Sequence, residues 1–218
     1  MNVEKCVVRL AVAAVVGSFI AGCATVSRED IAKEYERVAA LPPAKRILSP
    51  NKQVDDVARL SFDLYNYCHP LLKNYVAATT NHRQYTGFMN DVQFVMKNEG
   101  LSEADAMAKV CALVQEEDKA RPDAEKVWPR IVKGWAAANA LDPAKQLAEI
   151  ARLVIRNQEI VKSAKELPNS FKNEDFMGKA KRASEVSLIT AQLAQTAEML
   201  AFLGEQYRRV QKLKTYQK

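Results

Sequence analysis

The stretch Val186-Ser-Leu-Ile-Thr190-Ala-Gln-Leu-Ala-Gln195-Thr-Ala-Glu-Met-Leu200-Ala-Phe-Leu-Gly-Glu205-Gln-Tyr-Arg-Arg-Val210-Gln-Lys-Leu213 decides the fold class. Val186, Ile189, Leu193, Ala197, Leu200, Leu203, Tyr207, Val210 and Leu213 recur in steps of three and four. That spacing lines one face of a helix and fits no strand, whose faces repeat every second residue. The pattern predicts one helix over 173–216. At 1.5 Å per residue it is roughly 65 Å long, so part of it is expected to project, to pair with another subunit or to be covered by a neighbouring helix. Its seam is thinner in Leu, Ile and Val than a dedicated coiled coil. Ala180, Ala183, Ala191, Ala194 and Ala197 suggest instead close packing of helix on helix within one domain.

Helical signals continue toward the N-terminus. Asp142-Pro143 pairs a cap with a first-turn proline, opening a helix that carries Leu147, Ile150, Ala151, Val154, Val161 and Ala164 to Leu167-Pro168. Arg121-Pro122 is expected to start a helix with Val127, Ile131 and Trp135 on one face. Ser102-Glu-Ala-Asp105 resembles a capping box before Ala106, Val110, Leu113 and Val114. Asn81 is expected to cap a helix with Tyr85, Phe88, Met89, Val92, Val95 and Met96, ending at Gly100. Ser49-Pro50 is expected to start another. Its Val57, Leu60, Leu64, Cys68, Leu71 and Tyr75 hold helical phase through Pro70, so one kinked helix over 50–79 is favoured over two. Residues 28–40 read as a short charged helix stopped by Pro42-Pro43. The expected fold is all-α: an elongated helical bundle of about seven helices with a long C-terminal one.

The N-terminus carries a different signal. Lys5 and Arg9 precede an apolar run from Leu10 to Ile20, too short for the roughly 20 residues a spanning helix needs. No later stretch is expected to be apolar enough to span. The run ends in Ile20-Ala21-Gly22-Cys23, which resembles the lipobox of bacterial lipoprotein signal peptides. The resemblance implies cleavage before Cys23, diacylglycerol on its thiol and a further acyl chain on the new amine. Several chains anchor a protein stably, where one does not. Ala24 rather than Asp follows, which in enterobacterial lipoproteins points to the outer membrane, here on its periplasmic side. The expected organisation is a signal peptide over 1–22, a lipid-anchored tether with a short charged helix over 23–49, and a helical domain over 50–218.

Cleavage would remove Lys5, Arg9 and Glu4 from 32 basic and 26 acidic residues, a change from +6 to +5. That spread-out excess, in an exported chain, argues against nucleic acid. The glycines left after Cys23 are Gly87, Gly100, Gly134, Gly178 and Gly204, too few for a phosphate-cradling loop. Gly-x-Ser-x-Gly, His-Glu-x-x-His and Cys-x-x-Cys motifs are absent. No cofactor is expected. Beyond Cys23, an oxidising periplasm leaves Cys68 and Cys111 to form one disulfide or to remain two buried thiols. A bond is favoured. It would close a loop of about 44 residues, worth roughly 3–4 kcal/mol.

A metal or acid–base site from Cys68, His69 and His82 is disfavoured, because helical neighbours point about 100° apart. An enzyme would draw on His69, His82, Asp63 and Asp91. Half of the Phe and Tyr residues lie within 62–94, and the helical phase leaves some off the core face. Tyr65, Tyr67, Phe94 and Trp128 are therefore a candidate binding surface. Arg208, Arg209, Lys212, Lys214 and Lys218 form a basic end suited to the helix dipole or to an anionic partner. Lys214-Thr-Tyr-Gln-Lys218 also resembles the end of murein lipoproteins, which implies covalent linkage of Lys218 to peptidoglycan.

The expected function is that of a non-enzymatic binding or scaffold module of the cell envelope, with an envelope protein or cell-wall component as partner. A link between membrane and wall is the alternative, and self-association is open. Deleting 173–218 is expected to abolish partner binding.

Overall fold

The computed structural model describes residues 26–216. Among them are seven α-helices and no strand. The helices are α1 Arg28–Ala39, α2 Lys52–Thr79, α3 Arg83–Glu99, α4 Glu103–Lys119, α5 Trp128–Asn139, α6 Pro143–Glu166 and α7 Phe176–Leu213. A 3₁₀ turn, Lys214–Tyr216, extends α7 to 41 residues. The described residues divide into two compact units. The first comprises 41–71 and 149–202, the second 26–40, 72–148 and 203–216. The signal segment and Cys23 lie outside the described residues.

In the first unit, α2 starts two residues later than Ser49-Pro50 suggests. The Asn51 side-chain oxygen accepts from the N–H groups of Gln53 and Val54, at 3.1 and 3.3 Å, and so caps the helix. The Ser49 hydroxyl is engaged elsewhere, by Asn51 N–H and by Arg182. The helix runs unbroken through Pro70. The buried face of α6 is Ile150, Leu153, Asn157, Ile160 and Ala164. It is rotated from the expected stripe, so that Ala151, Val154 and Val161 are half-buried. Asn157, polar yet buried, hides this face from a hydrophobicity pattern. The first-unit part of α7 buries Arg182, Glu185, Ile189, Gln192, Leu193, Thr196, Met199 and Leu200.

In the second unit, α1 is held against α3. The Asn98 side chain bonds both backbone groups of Val26, Lys97 pairs with Glu34 at 3.2 Å, and Arg28 pairs with Asp91 at 2.8 Å. Ile31 and Val38 are buried, so this charged helix belongs to a core. Ser27 and Asp30 make a full capping box at its start. His82, not Asn81, occupies the N-cap position of α3, without a side-chain bond. Gly100 ends α3 with φ +64°, the left-handed conformation glycine adopts freely. On α4, Ser102 accepts from Asp105 N–H as its sequence suggests, but Leu113 faces solvent. Ala106, Met107, Val110 and Cys111 make the buried face.

α5 begins at Trp128, six residues after Pro122, because Asp118 caps it from a distance. Its carboxylate accepts from the N–H groups of Val127 and Trp128, at 2.9 and 2.6 Å. Pro129 then fits the first turn, where its missing N–H costs nothing. Gly134 lets α5 and α3 approach: a Cβ there would sit 2.8 Å from His82 Cβ and 2.9 Å from Tyr85 Cγ. Trp135 Nε1 donates at 2.8 Å to the carbonyl of Val210, one of the orphan acceptors of α7's last turn.

Among the described residues, α7 alone is long and apolar enough by composition to cross a membrane, contrary to the expectation that none would be. It buries Arg182, Glu185, Gln192, Gln206 and Arg209 on its inward side, so one side of it belongs to the core.

Candidate functional site

The four aromatic residues read as one binding surface are divided between the two units. Tyr65 and Tyr67 belong to the first unit, Phe94 and Trp128 to the second. Tyr65 is buried, and its hydroxyl donates to the Pro42 carbonyl at 2.6 Å. It is a core residue and leaves the candidate surface. Tyr67 is exposed and donates to Glu149 at 3.1 Å. Phe94 is half-buried beneath the Arg28 guanidinium, 4.9 Å from its ring centre. Trp128 packs edge-on against Phe88 at 6.2 Å. The last two serve packing more than recognition.

The Cys68–Cys111 disulfide is not formed: both thiols are free and buried. Cys68 completes the buried face of α2 in the first unit, and Cys111 that of α4 in the second. Each acts as a small apolar side chain. Burial pushes both thiols up to about 12, helped at Cys68 by the negative charge of Glu149. Neither is a nucleophile at neutral pH.

His69 Nε2 lies 2.8 Å from the Leu41 carbonyl, and the ring stacks on Tyr65 at 5.9 Å. A carbonyl only accepts, so Nε2 carries the hydrogen and holds the 41–43 segment against α2. His82 belongs to the other unit, at the α3–α5 approach. Asp63 is exposed, and Asp91 is bound to Arg28. Burial raises the Asp91 carboxyl despite that partner. No group of three His, Cys, Asp or Glu among the described residues is placed to hold a metal.

The basic end is largely turned inward. Arg208, Arg209 and Lys212 converge on Glu103 at 3.9, 4.0 and 3.3 Å. Arg209 is buried, with Gln93 and Glu205 as further partners at 3.3 and 3.4 Å. These cations fasten the end of α7 to the first turn of α4. Arg209 in particular is withdrawn from any anionic partner. Lys214 is exposed, and Lys218 lies outside the described residues.

The surface that remains was not singled out from the sequence. After the 3₁₀ turn Leu167–Phe171 the chain bends into α7. Asn51 holds the bend, donating from its side-chain nitrogen to the Ser170 carbonyl and to Glu174, both at 3.3 Å. Arg182 Nε lies 3.6 Å from Glu174. Asp175 caps α7, accepting from Gly178 N–H at 2.7 Å. The bend is therefore fixed from the inside by these polar contacts and by buried Leu167 and Phe171, while Phe176 and Met177 just after it face out. Phe176 is 83% exposed and Met177 73%. Phe171, Phe176, Ala180 and Ala183 line an open groove of about 540 Å³, with Lys172 and Lys179 at its sides. Ala180, Ala183, Ala191 and Ala194, expected to pack against a neighbouring helix, are exposed.

Comparison with models of protein families, with curated proteins and with solved structures finds no match to this chain.

Proposed function

We propose that the chain is a non-enzymatic binding module of the cell envelope, anchored through acylated Cys23 on the periplasmic side of the outer membrane. The lipobox-like Ile20-Ala21-Gly22-Cys23 supports the anchor. The observation that carries the binding role is the apolar groove at the start of α7, with Phe176 and Met177 projecting beside it. Large apolar side chains projecting beside an open apolar groove favour contact with another body. His69 and the two thiols, by contrast, are committed to a backbone bond and to packing.

The deletion of 173–218 is not a clean test. That segment supplies Ile189, Leu193, Leu200, Leu203, Val210 and Leu213 to the buried interior, and removing it would unfold the chain. A photo-activatable residue at Met177 tests the groove without touching the core. Capture of the same envelope component in repeated cell experiments, absent with the probe at exposed Gln115, is the expected result. Incorporation of a palmitate analogue should vanish in Cys23→Ser. Labelling that survives this change removes the anchor, and no capture at Met177 removes the binding surface.

A further inference from the structure

Among the described residues, seven large apolar side chains face solvent, and all but Leu113 belong to the first unit. On α7 they continue into a longer feature. From Ala183 to Ala197 the exposed residues are Ala183, Ser184, Ser187, Leu188, Thr190, Ala191, Ala194 and Gln195, and none carries charge. The one charged residue of this stretch, Glu185, points inward with Arg182 just before it: Arg182 donates to Glu185 at 2.6 Å, and both are buried. Fifteen helical residues at 1.5 Å each give an uncharged strip roughly 20 Å long. Phe176 and Met177 stand at its head.

The charge around that head is basic. Lys172, Lys179 and Lys181 are exposed, and none forms an ion pair among the described residues. The neighbouring acids are occupied, Glu174 by Asn51 and Arg182, Asp175 by the α7 N-terminus. An external negative surface would answer these lysines.

We propose that the outward face of α7, from Phe176 to Ala194, lies on a bilayer containing anionic phospholipid, with Phe176 and Met177 in the acyl boundary and the lysines at the headgroups. This rests on the binding role proposed above and names the occupant of the same surface. An apolar helix face bordered by lysines is the pattern of an interfacial helix. An enclosed small ligand fits less well, because ligand sites bury most of the ligand, while this groove is open and its most apolar side chains project. A second copy paired in parallel fits less well too, since it would bring six lysines together with no exposed acid on the strip to meet them.

The test uses the protein as purified from cells, placed on vesicles of phosphatidylcholine and phosphatidylglycerol in equal parts, with brominated acyl chains. Phe176→Trp adds a reporter at an exposed position. Compared with the unsubstituted protein, its added emission should be blue-shifted and quenched by bromine, and less so in phosphatidylcholine alone. Each lysine near such a surface is worth roughly a fivefold change in the docked-to-undocked ratio, so Lys172→Gln, Lys179→Gln and Lys181→Gln together should lower it roughly a hundredfold. Emission at position 176 that stays water-like and unquenched on these vesicles overturns the proposal. So does a dimer that Leu188→Asp dissociates, with no quenching. An unquenched reporter at position 176 together with a protein captured from Met177 would sink the lipid occupant and leave the binding module standing. Failure of both would remove both.

Discussion

Replacing Asp118 with Ala should unfasten the joint between α4 and α5. The carboxylate receives the N–H groups of Val127 and Trp128 and the Arg121 guanidinium, all within 2.9 Å. It thereby closes the connection that includes the 3₁₀ turn Asp123–Glu125 and sets Trp128 against Phe88. Truncation leaves two N–H groups without their acceptor in a half-buried place. Hydrogen bonds to a charged acceptor are worth about 1.5–3 kcal/mol each, and loss of a capping side chain typically costs about 1 kcal/mol. These figures describe the same bonds, so they overlap, and about 3 kcal/mol is expected. For a chain of this size that lowers Tm by roughly 6–12 °C.

Tryptophan fluorescence is a suitable probe, because Trp128 and Trp135 both belong to the second unit. The pH dependence gives an independent check. Burial alone would raise the Asp118 carboxyl, but the two backbone donors and Arg121 outweigh it and hold it below the usual range. A lowered folded value means that the carboxylate stabilises fully above the unfolded value of about 3.9, and that this contribution is lost as pH falls through the folded one. Asp118→Asn keeps one acceptor but turns an NH₂ toward the other N–H, so it should lose most of the stability and this part of the acid limb. A cost below about 1 kcal/mol for Asp118→Ala, or an unchanged acid limb in Asp118→Asn, would refute the capping role.

Gly134→Ala should destabilise the second unit by about 1–3 kcal/mol, the usual cost of overpacking, because the added methyl meets His82 and Tyr85. Urea denaturation measures it, and a neutral substitution would mean that α3 and α5 separate freely. Cys68 and Cys111 should resist maleimide in the folded protein at pH 8, where the thiolate fraction is on the order of 10⁻⁴. Both should react in denaturant without prior reduction. Cys68→Ala and Cys111→Ala should each remove one such thiol, and a requirement for reductant would contradict the free cysteines.

Seven helices, their order and most of their ends were legible because local chemistry set them. Gly100, Ser102 and Asp142-Pro143 act within one turn of the helix they bound. The start of α5 was not legible, because its cap comes from Asp118, ten residues before Trp128, and no short-range pattern contains that pairing. The α6 face was misjudged by one rotation because its inward row includes Asn157. The basic end looked available because Glu103, which meets three of its cations, is more than a hundred residues away in sequence. Cys68 and Cys111 looked like a pair because residue count alone said nothing about which core each would join.

The same difficulty, at its greatest in α7, is what exposes the candidate site. An ordinary surface helix puts its charges outside and its apolar residues inside, and the contrast marks its faces. In the first unit α7 does the reverse over part of its length: Arg182, Glu185, Gln192 and Thr196 are buried, whereas Met177, Ala180, Leu188 and Ala191 are exposed. Along the sequence the two faces therefore look alike, and the alanines were assigned to internal packing. Arg182, Glu185 and Thr196 among these inward groups are bonded. Arg182 ties Glu185, Ser49 and Glu174 together, and Thr196 returns its hydroxyl to the Gln192 carbonyl at 2.9 Å. Polar residues placed inside can be satisfied by such bonds. Apolar residues placed outside gain nothing from water and are satisfied only by another apolar phase. That asymmetry is why the outward face of α7 is the proposed contact surface, while its inward face holds the fold.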